Sequence, residues 1–247
     1  MTTANQLTDK PTPWVMFGRS RLLADYVDAI HANGGYLARI AVAEADGDET
    51  ADFDAWLARY QAWLTAHHPS LECCLVSLDR FEPEAGEQYL LGPRDRQGRA
   101  LARWSREAFS LRFTPLIHPT AVVAVGTEVH EGAFLGARSN VASWVEIGEF
   151  ACMLAGSSLG HDSVMHPFAT IGEAAVVASF VTMEVFSRAG PGSSVRELLV
   201  LHEGCELEPG AALVKDAPAW SVLAGVPARV SGTREFQEDP DAEPSHA

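Results

Sequence analysis

The residues best suited to chemistry sit in the run Leu159-Gly160-His161-Asp162-Ser163. An imidazole takes up and returns a proton near neutral pH, and a neutral imidazole is a common general base toward a hydroxyl or amine. Asp162 stands next to it. The bland alternative is a solvated pair with no task. His161 and His166 also have H-x4-H spacing, enough for two metal ligands. Cys73, Cys74, Cys152 and Cys205 have neither metal-site nor redox spacing, and read as free buried thiols of a cytoplasmic protein. No Ser-His-Asp arrangement is legible. Near the N-terminus, Gly18-Arg19-Ser20-Arg21 follows a short apolar run. Glycine in such a turn lets backbone N–H groups approach a phosphate. Arg19 or Arg21 would grip it by charge, or they are ordinary surface arginines.

What must position His161 is a six-residue rhythm running from Ile117 to about Pro218. Every sixth residue from Ile117 through Leu213 is aliphatic or Met, apart from Ala189. Four residues after each stands a second register, Ala121 through Ala217. It is Ala, Ser, Thr or Cys except at Val145, Val181 and Leu199. A repeat this short cannot enclose its own core, so successive repeats must stack into a solenoid. Side chains alternate across a strand, so both registers can point inward. The large residue fills the interior, and the small one lets the chain turn at a corner.

Three steps make one triangular coil, and residues eighteen apart form a column. Coils should lie about 4.8 Å apart, and the rhythm supplies between five and six of them. His161, two residues past the inward Leu159, then lies at or near a corner with its side chain outward. The column through His166 reads His130, Gly148, His166, Glu184, His202. The H-x4-H spacing resembles two zinc ligands of the gamma-class carbonic anhydrases, and that resemblance implies a third His. The member adjacent to His166 is Gly148, while His130 and His202 lie two coils away, roughly 9.6 Å at the strand spacing. That is too far to share one ion, so no metal site is expected.

The first ~115 residues alternate between strand and helix patterns. Strands are expected over Trp14–Gly18, Tyr36–Ala43, Leu71–Leu78 and Gln88–Leu91. Helices are expected over Arg21–Asn33, stopped by Gly34-Gly35, over Asp52–His67 with Trp56, Leu57, Tyr60 and Leu64 inward, and over Arg96–Phe109. This is the pattern of a small parallel α/β domain of Rossmann type. No G-x-G-x-x-G occurs, which argues against a dinucleotide.

The rhythm opens on Leu116-Ile117-His118-Pro119-Thr120-Ala121 and closes on Gly225-Val226-Pro227-Ala228-Arg229, after Ser221-Val222-Leu223-Ala224. With these ends it resembles the hexapeptide-repeat acyltransferases, and among them the sugar O/N-acetyltransferases of the sialic acid and bacillosamine type. The resemblance, not the period, implies a left-handed parallel β-helix, a homotrimer, and a small nucleotide-sugar-binding domain ahead of the helix. It implies acetyl-CoA as acyl donor and a (nucleotide-)sugar as acceptor. His161 would be the base that takes the acceptor's proton during direct attack on the thioester, with Asp162 raising its basicity.

Ungapped extension from His161 carries the cofactor positions onto Thr170, Pro191 and Pro209. Thr170 stands where close relatives have a second His. It can donate a hydrogen bond but supplies no charge. Pro is tolerable at the other two only where the carbonyl is used. The nucleotide positions fall on Gly18, Arg19 and Ser20, where only the first glycine of a G-x-x-G-x-G turn remains, and on Glu44, which would hold a ribose or uracil group. Two rivals stand beside this reading. One is a zinc enzyme like the gamma-class carbonic anhydrases, disfavoured by Gly148. The other is a non-catalytic trimeric scaffold or diverged paralogue, which the lost glycines and the absent second His would suit.

The expected organisation is a flexible start (1–13), an α/β domain (14–115), the β-helix (116–230) and an acidic disordered tail (231–247). A net charge of −15 should repel nucleic acid and anionic membrane. With 47% hydrophobic residues, burying a core is no difficulty. No signal peptide and no apolar run of about 18 residues is evident.

Overall fold

A computed structural model describes residues 10–43 and 50–234. The chain divides into two compact units, Met1–Thr114 and Pro115–Ala247.

In the first unit, the elements run β1 (Thr12–Phe17), α1 (Leu23–Ala32), β2 (Gly35–Val42), α2 (Thr50–His67), β3 (Cys74–Ser77), β4 (Gln88–Leu91) and α3 (Arg96–Phe109). The four strands form one parallel sheet in the order β3-β2-β1-β4. The chain therefore steps outward from β1 through β3, then returns to the far side of β1. Helix α1 starts two residues later than its pattern suggests. The Ser20 hydroxyl accepts the Leu22 N–H at 3.1 Å and holds the preceding turn. It ends before Gly34, whose φ of +76° suits the chain reversal. Helix α3 is capped by Asp95, which accepts the Gly98 N–H. On α2, Tyr60 and Leu64 are buried as expected, with Phe53 beside them, but Trp56 and Leu57 are only half covered.

The second unit is a left-handed parallel β-helix of two-residue strands, one every six residues. Its first face stacks Leu116–Ile117, Phe134–Leu135, Cys152–Met153, Thr170–Ile171, Arg188–Ala189 and Glu206–Leu207. Its second stacks Val122–Val123, Asn140–Val141, Ser158–Leu159, Val176–Val177, Ser194–Val195 and Ala212–Leu213. Its third stacks Glu128–Val129, Glu146–Ile147, Val164–Met165, Thr182–Met183 and Val200–Leu201. Pairing is always between residues eighteen apart, as in Cys152 with Thr170. Both inward registers are buried from Ala133 onward. Burying each large aliphatic contributes about 1.5–3 kcal/mol. In the first coil Ile117, Val123 and Val129 are only partly covered.

Every corner uses one residue in the left-handed backbone region, at six-residue intervals from Gly126 to Gly210. Many are not glycine: Arg138, Trp144, Phe150, Asp162 and Phe180 all have φ between 56° and 61°. A non-glycine residue there is held against a penalty of about 1–2 kcal/mol. The ladder bonds of the coils above and below over-determine the turn.

The rhythm stops at Leu213. Leu207 pairs with Leu223, where an unbroken rhythm would give Gly225. The closing segment then folds as an antiparallel hairpin of Ser221–Ala224 with Arg229–Thr233. Its turn contains a cis Val226–Pro227 bond and bonds the last strand of the second face through Ala212. Residues 231–233, read from the sequence as the start of a disordered tail, are thus a paired strand. The rest of that tail, from 235, and the start as far as residue 9 lie outside the described residues.

Candidate active site

His161 and Asp162 occupy the corner between the second and third faces. The strand Ser158–Leu159 delivers them, with Leu159 buried as the anchor. Gly160 is needed for space. A Cβ there would meet the Ser179 backbone nitrogen of the next coil at 2.4 Å. The glycine therefore reflects packing rather than chemistry. Asp162 takes the left-handed corner position at φ 58°, which Asp tolerates better than most residues. Its N–H donates to the Ser143 carbonyl at 3.2 Å, and the Phe180 N–H donates to the His161 carbonyl at 3.0 Å. The corner is pinned to the coils on both sides.

The His161 Nδ1 lies 2.7 Å from Asp162 Oδ2, and the two side chains are 53% and 45% exposed. A carboxylate can only accept, so Nδ1 carries the proton and Nε2 presents its lone pair. The Phe180 ring stands edge-on to the imidazole at 5.2 Å and limits its rotation. Along the same corner Val125, Trp144, Phe180 and Leu198 are exposed, at 73%, 65%, 49% and 72%. The imidazole therefore sits in an apolar ridge that is exposed among the described residues. This ridge escaped the sequence reading. Its signal was present, because Trp144, Phe180 and Leu198 share the column of Asp162.

His166 lies at a different corner, between the third and first faces, beside Glu184 of the next coil. His202 pairs with Glu184 at 3.2 Å, and His130 lies 3.4 Å from Glu146. Among the described residues no group of three or more His, Cys, Asp or Glu is arranged to hold a metal ion.

The expected cofactor residues do not meet His161 within one chain. Thr170 is the outward residue of a strand on the first face, the face opposite the His161 corner, and is 9% exposed. Pro191 and Pro209 stack in adjacent coils at the remaining corner, both exposed. The Pro191 carbonyl already accepts the Gly210 N–H at 2.9 Å, leaving one lone pair.

In the first unit Gly18, Arg19 and Ser20 form the turn after β1. Gly18 has φ +76° and presses on Pro93, where a Cβ would come to 2.8 Å. The Arg19 guanidinium lies over the Phe53 ring at 5.3 Å. Glu44 lies outside the described residues. The strand order reverses between β1 and β4, and ligands of open α/β sheets bind at that crevice beyond the strand ends. The loop after β4 therefore belongs to this region. It brings Arg94, whose Nε donates to the Tyr26 hydroxyl at 2.8 Å. Arg94 was missed because strand order cannot be read from strand pattern.

Solved structures share this architecture. The perosamine N-acetyltransferase of Caulobacter crescentus, solved as a histidine variant with CoA and GDP-perosamine, superposes with a TM-score of 0.73 at 19% identity, over 92% of this chain and 99% of that one. The acetyltransferase domain of PglB from Neisseria gonorrhoeae, solved with acetyl coenzyme A, gives 0.70 at 18% identity, over 90% and 100%. WeeI from Acinetobacter baumannii gives 0.62 at 17% identity, over 89% and 100%. The chain thus has the fold of the hexapeptide-repeat sugar acetyltransferases, small α/β unit included. A 94-residue stretch is also 31% identical to an acyl-[acyl-carrier-protein]–UDP-N-acetylglucosamine O-acyltransferase of a Psychrobacter species. That match spans 36% of this chain and 36% of that protein, about a third of each. No protein-family profile matches the chain.

Proposed function

We propose that this protein transfers an acetyl group from acetyl-CoA to an amino or hydroxyl group of a nucleotide-linked sugar. The observation that carries the reading is the His161–Asp162 pair, with Nδ1 held at 2.7 Å and Nε2 directed outward from an apolar ridge. The acceptor heteroatom attacks the thioester carbonyl while His161 Nε2 takes its proton. The tetrahedral intermediate collapses, the C–S bond breaks, and the thiolate leaves and is protonated. Asp162 keeps the imidazole in the basic tautomer and stabilises the imidazolium that forms.

The reading includes a homotrimer. The ridge of Val125, Trp144, Phe180 and Leu198 gives a second copy an apolar surface to cover, and covering it would wall the cleft beside His161. Thr170, Pro191 and Pro209, remote from His161 in one chain, would then reach the cofactor from a neighbouring copy. The acceptor's nucleotide would lie at the crevice of Gly18, Arg19 and Ser20, with Glu44 toward its ribose or base and arginine charge replacing the lost glycines. Four free cysteines suit a cytoplasmic protein. No helix among the described residues is long and apolar enough to cross a membrane.

The test is release of free CoA from acetyl-CoA over a panel of nucleotide-linked amino sugars and free sialic acids, with native protein beside His161→Ala. Turnover that falls about 10²-fold or more in the variant supports the proposal. Absence of turnover, together with no rise in melting temperature on adding acetyl-CoA, sinks it in favour of a scaffold.

A further inference from the structure

Between α1 and α2 lies a cavity of about 350 Å³, within the first unit and not among the groups assigned to acetyl transfer. Its α2 wall is aromatic. Trp56, Tyr60 and Trp63 follow one another at helical spacing on one face. Their rings form a ladder: Trp56 and Tyr60 stack at 5.3 Å and 26°, and Tyr60 and Trp63 at 6.4 Å and 9°. The α1 wall brings Val27, Asp28 and His31. His31 stands almost perpendicular to the ladder, at 85° to Tyr60 and 88° to Trp63.

The polar atoms identify what the cavity lacks. The Tyr60 hydroxyl accepts the Leu37 N–H at 3.1 Å and lies 2.9 Å from His31 Nε2; donating its proton to Nε2 is the arrangement that pairs the hydroxyl both as acceptor and as donor. The His31 proton must then be on Nδ1. That nitrogen is buried with no hydrogen-bond partner, in a residue only 8% exposed. A buried donor without an acceptor is rare in a native protein and calls for an explanation. Burial, with the nearby His68 adding to it against Asp28, pushes the imidazole down to about 4. The ring is neutral at physiological pH and presents an uncharged donor.

We infer that the cavity between α1 and α2 binds an uncharged, flat heteroaromatic ring that carries a hydrogen-bond acceptor. The ring lies along the Trp56–Tyr60–Trp63 ladder, where aromatic guests stack with little demand on their identity. Its acceptor pairs with His31 Nδ1–H. Asp28, together with the strongly acidic chain, excludes anionic versions of the same ring.

Calorimetric titration of the full-length protein tests this with three probes: quinoline, naphthalene and quinoline-2-carboxylate. Quinoline has the ring nitrogen, naphthalene lacks it, and the carboxylate adds a charge. Quinoline is expected to bind about tenfold more tightly than naphthalene, the effect of pairing one buried donor, and the carboxylate most weakly. Trp56→Leu, a change at a half-exposed residue, should weaken quinoline and naphthalene alike. His31→Phe should remove the difference between them. Equal binding of quinoline and naphthalene to the native protein overturns the inference. So does quinoline binding that Trp56→Leu leaves unchanged, or no binding of quinoline.

Discussion

Two corners of the β-helix use the same turn for opposite ends. At the corner between the third and first faces, Phe150, Phe168 and Phe186 occupy the left-handed position in three successive coils. Their rings stack at 5.1 and 5.2 Å, and each is buried. At the His161 corner the equivalent column reads Trp144, Asp162, Phe180, Leu198, and the three apolar members are exposed. The backbone is the same, so the difference lies in what the side chains face. One corner contributes stability. The other holds apolar surface in reserve, and its left-handed column is interrupted by one carboxylate, Asp162, beside His161.

The comparison breaks first at His161. His161→Ala should lower turnover by about 10²–10⁴-fold without altering the circular dichroism spectrum or the melting temperature. A matching loss of stability would mean that the imidazole is a structural residue. Phe168→Ala should do the reverse. It removes the middle ring of the buried stack and should cost about 3–5 kcal/mol in a denaturant titration, with kcat per folded molecule retained.

Acid should act on stability in the first unit through His31. His31 is held neutral down to about 4, whereas an unfolded His takes up its proton near 6.5. Between those values the unfolded chain binds more protons, so lowering the pH from 6.5 to 4 destabilises the fold. The effect of this group reaches about 3 kcal/mol. Denaturant titrations at pH 7 and pH 5 measure it, and His31→Phe should flatten the dependence.

Asp162→Gly separates turn from chemistry. Glycine accepts a φ of 58° without strain, so the melting temperature should hold. Loss of a charge-assisted bond to His161 should cost about tenfold or more in kcat. Phe180→Ala sharpens the same point at smaller scale. Losing the edge contact that limits the imidazole should cost roughly two- to tenfold in kcat, with little change in KM for acetyl-CoA.

How much of this was legible varied with the range of the interactions. The inward registers, the face lengths and the corner position of His161 follow from a period that survives unbroken to Leu213. Gln88–Leu91 and Arg96–Phe109 matched their elements, the second with a local cap from Asp95. The left-handed corner residues were invisible. A turn clamped by coils above and below accepts Trp, Phe and Leu as well as Gly, so glycine marks only some of the turns. Gly160 looked like part of a catalytic motif, yet it is explained by the approach of the Ser179 backbone of the next coil. The slip after Leu213 and the hairpin through Thr233 were missed because the end of a solenoid has no next coil to set its register.

By itself, the sequence determined that a stacked prism forms, which residues fill it, and that an imidazole and a carboxylate stand together on its edge. Alternation along a strand and a repeat too short to close on itself leave little other choice. Only the tertiary structure decided that Thr170, Pro191 and Pro209 lie on other sides of the prism from His161. It alone showed that an apolar ridge flanks the imidazole, that strand order turns at β1 and β4, and that a buried nitrogen of His31 has no hydrogen-bond partner beside Tyr60 and Trp63. Those facts depend on which distant segments meet, and that is settled by packing rather than by local pattern.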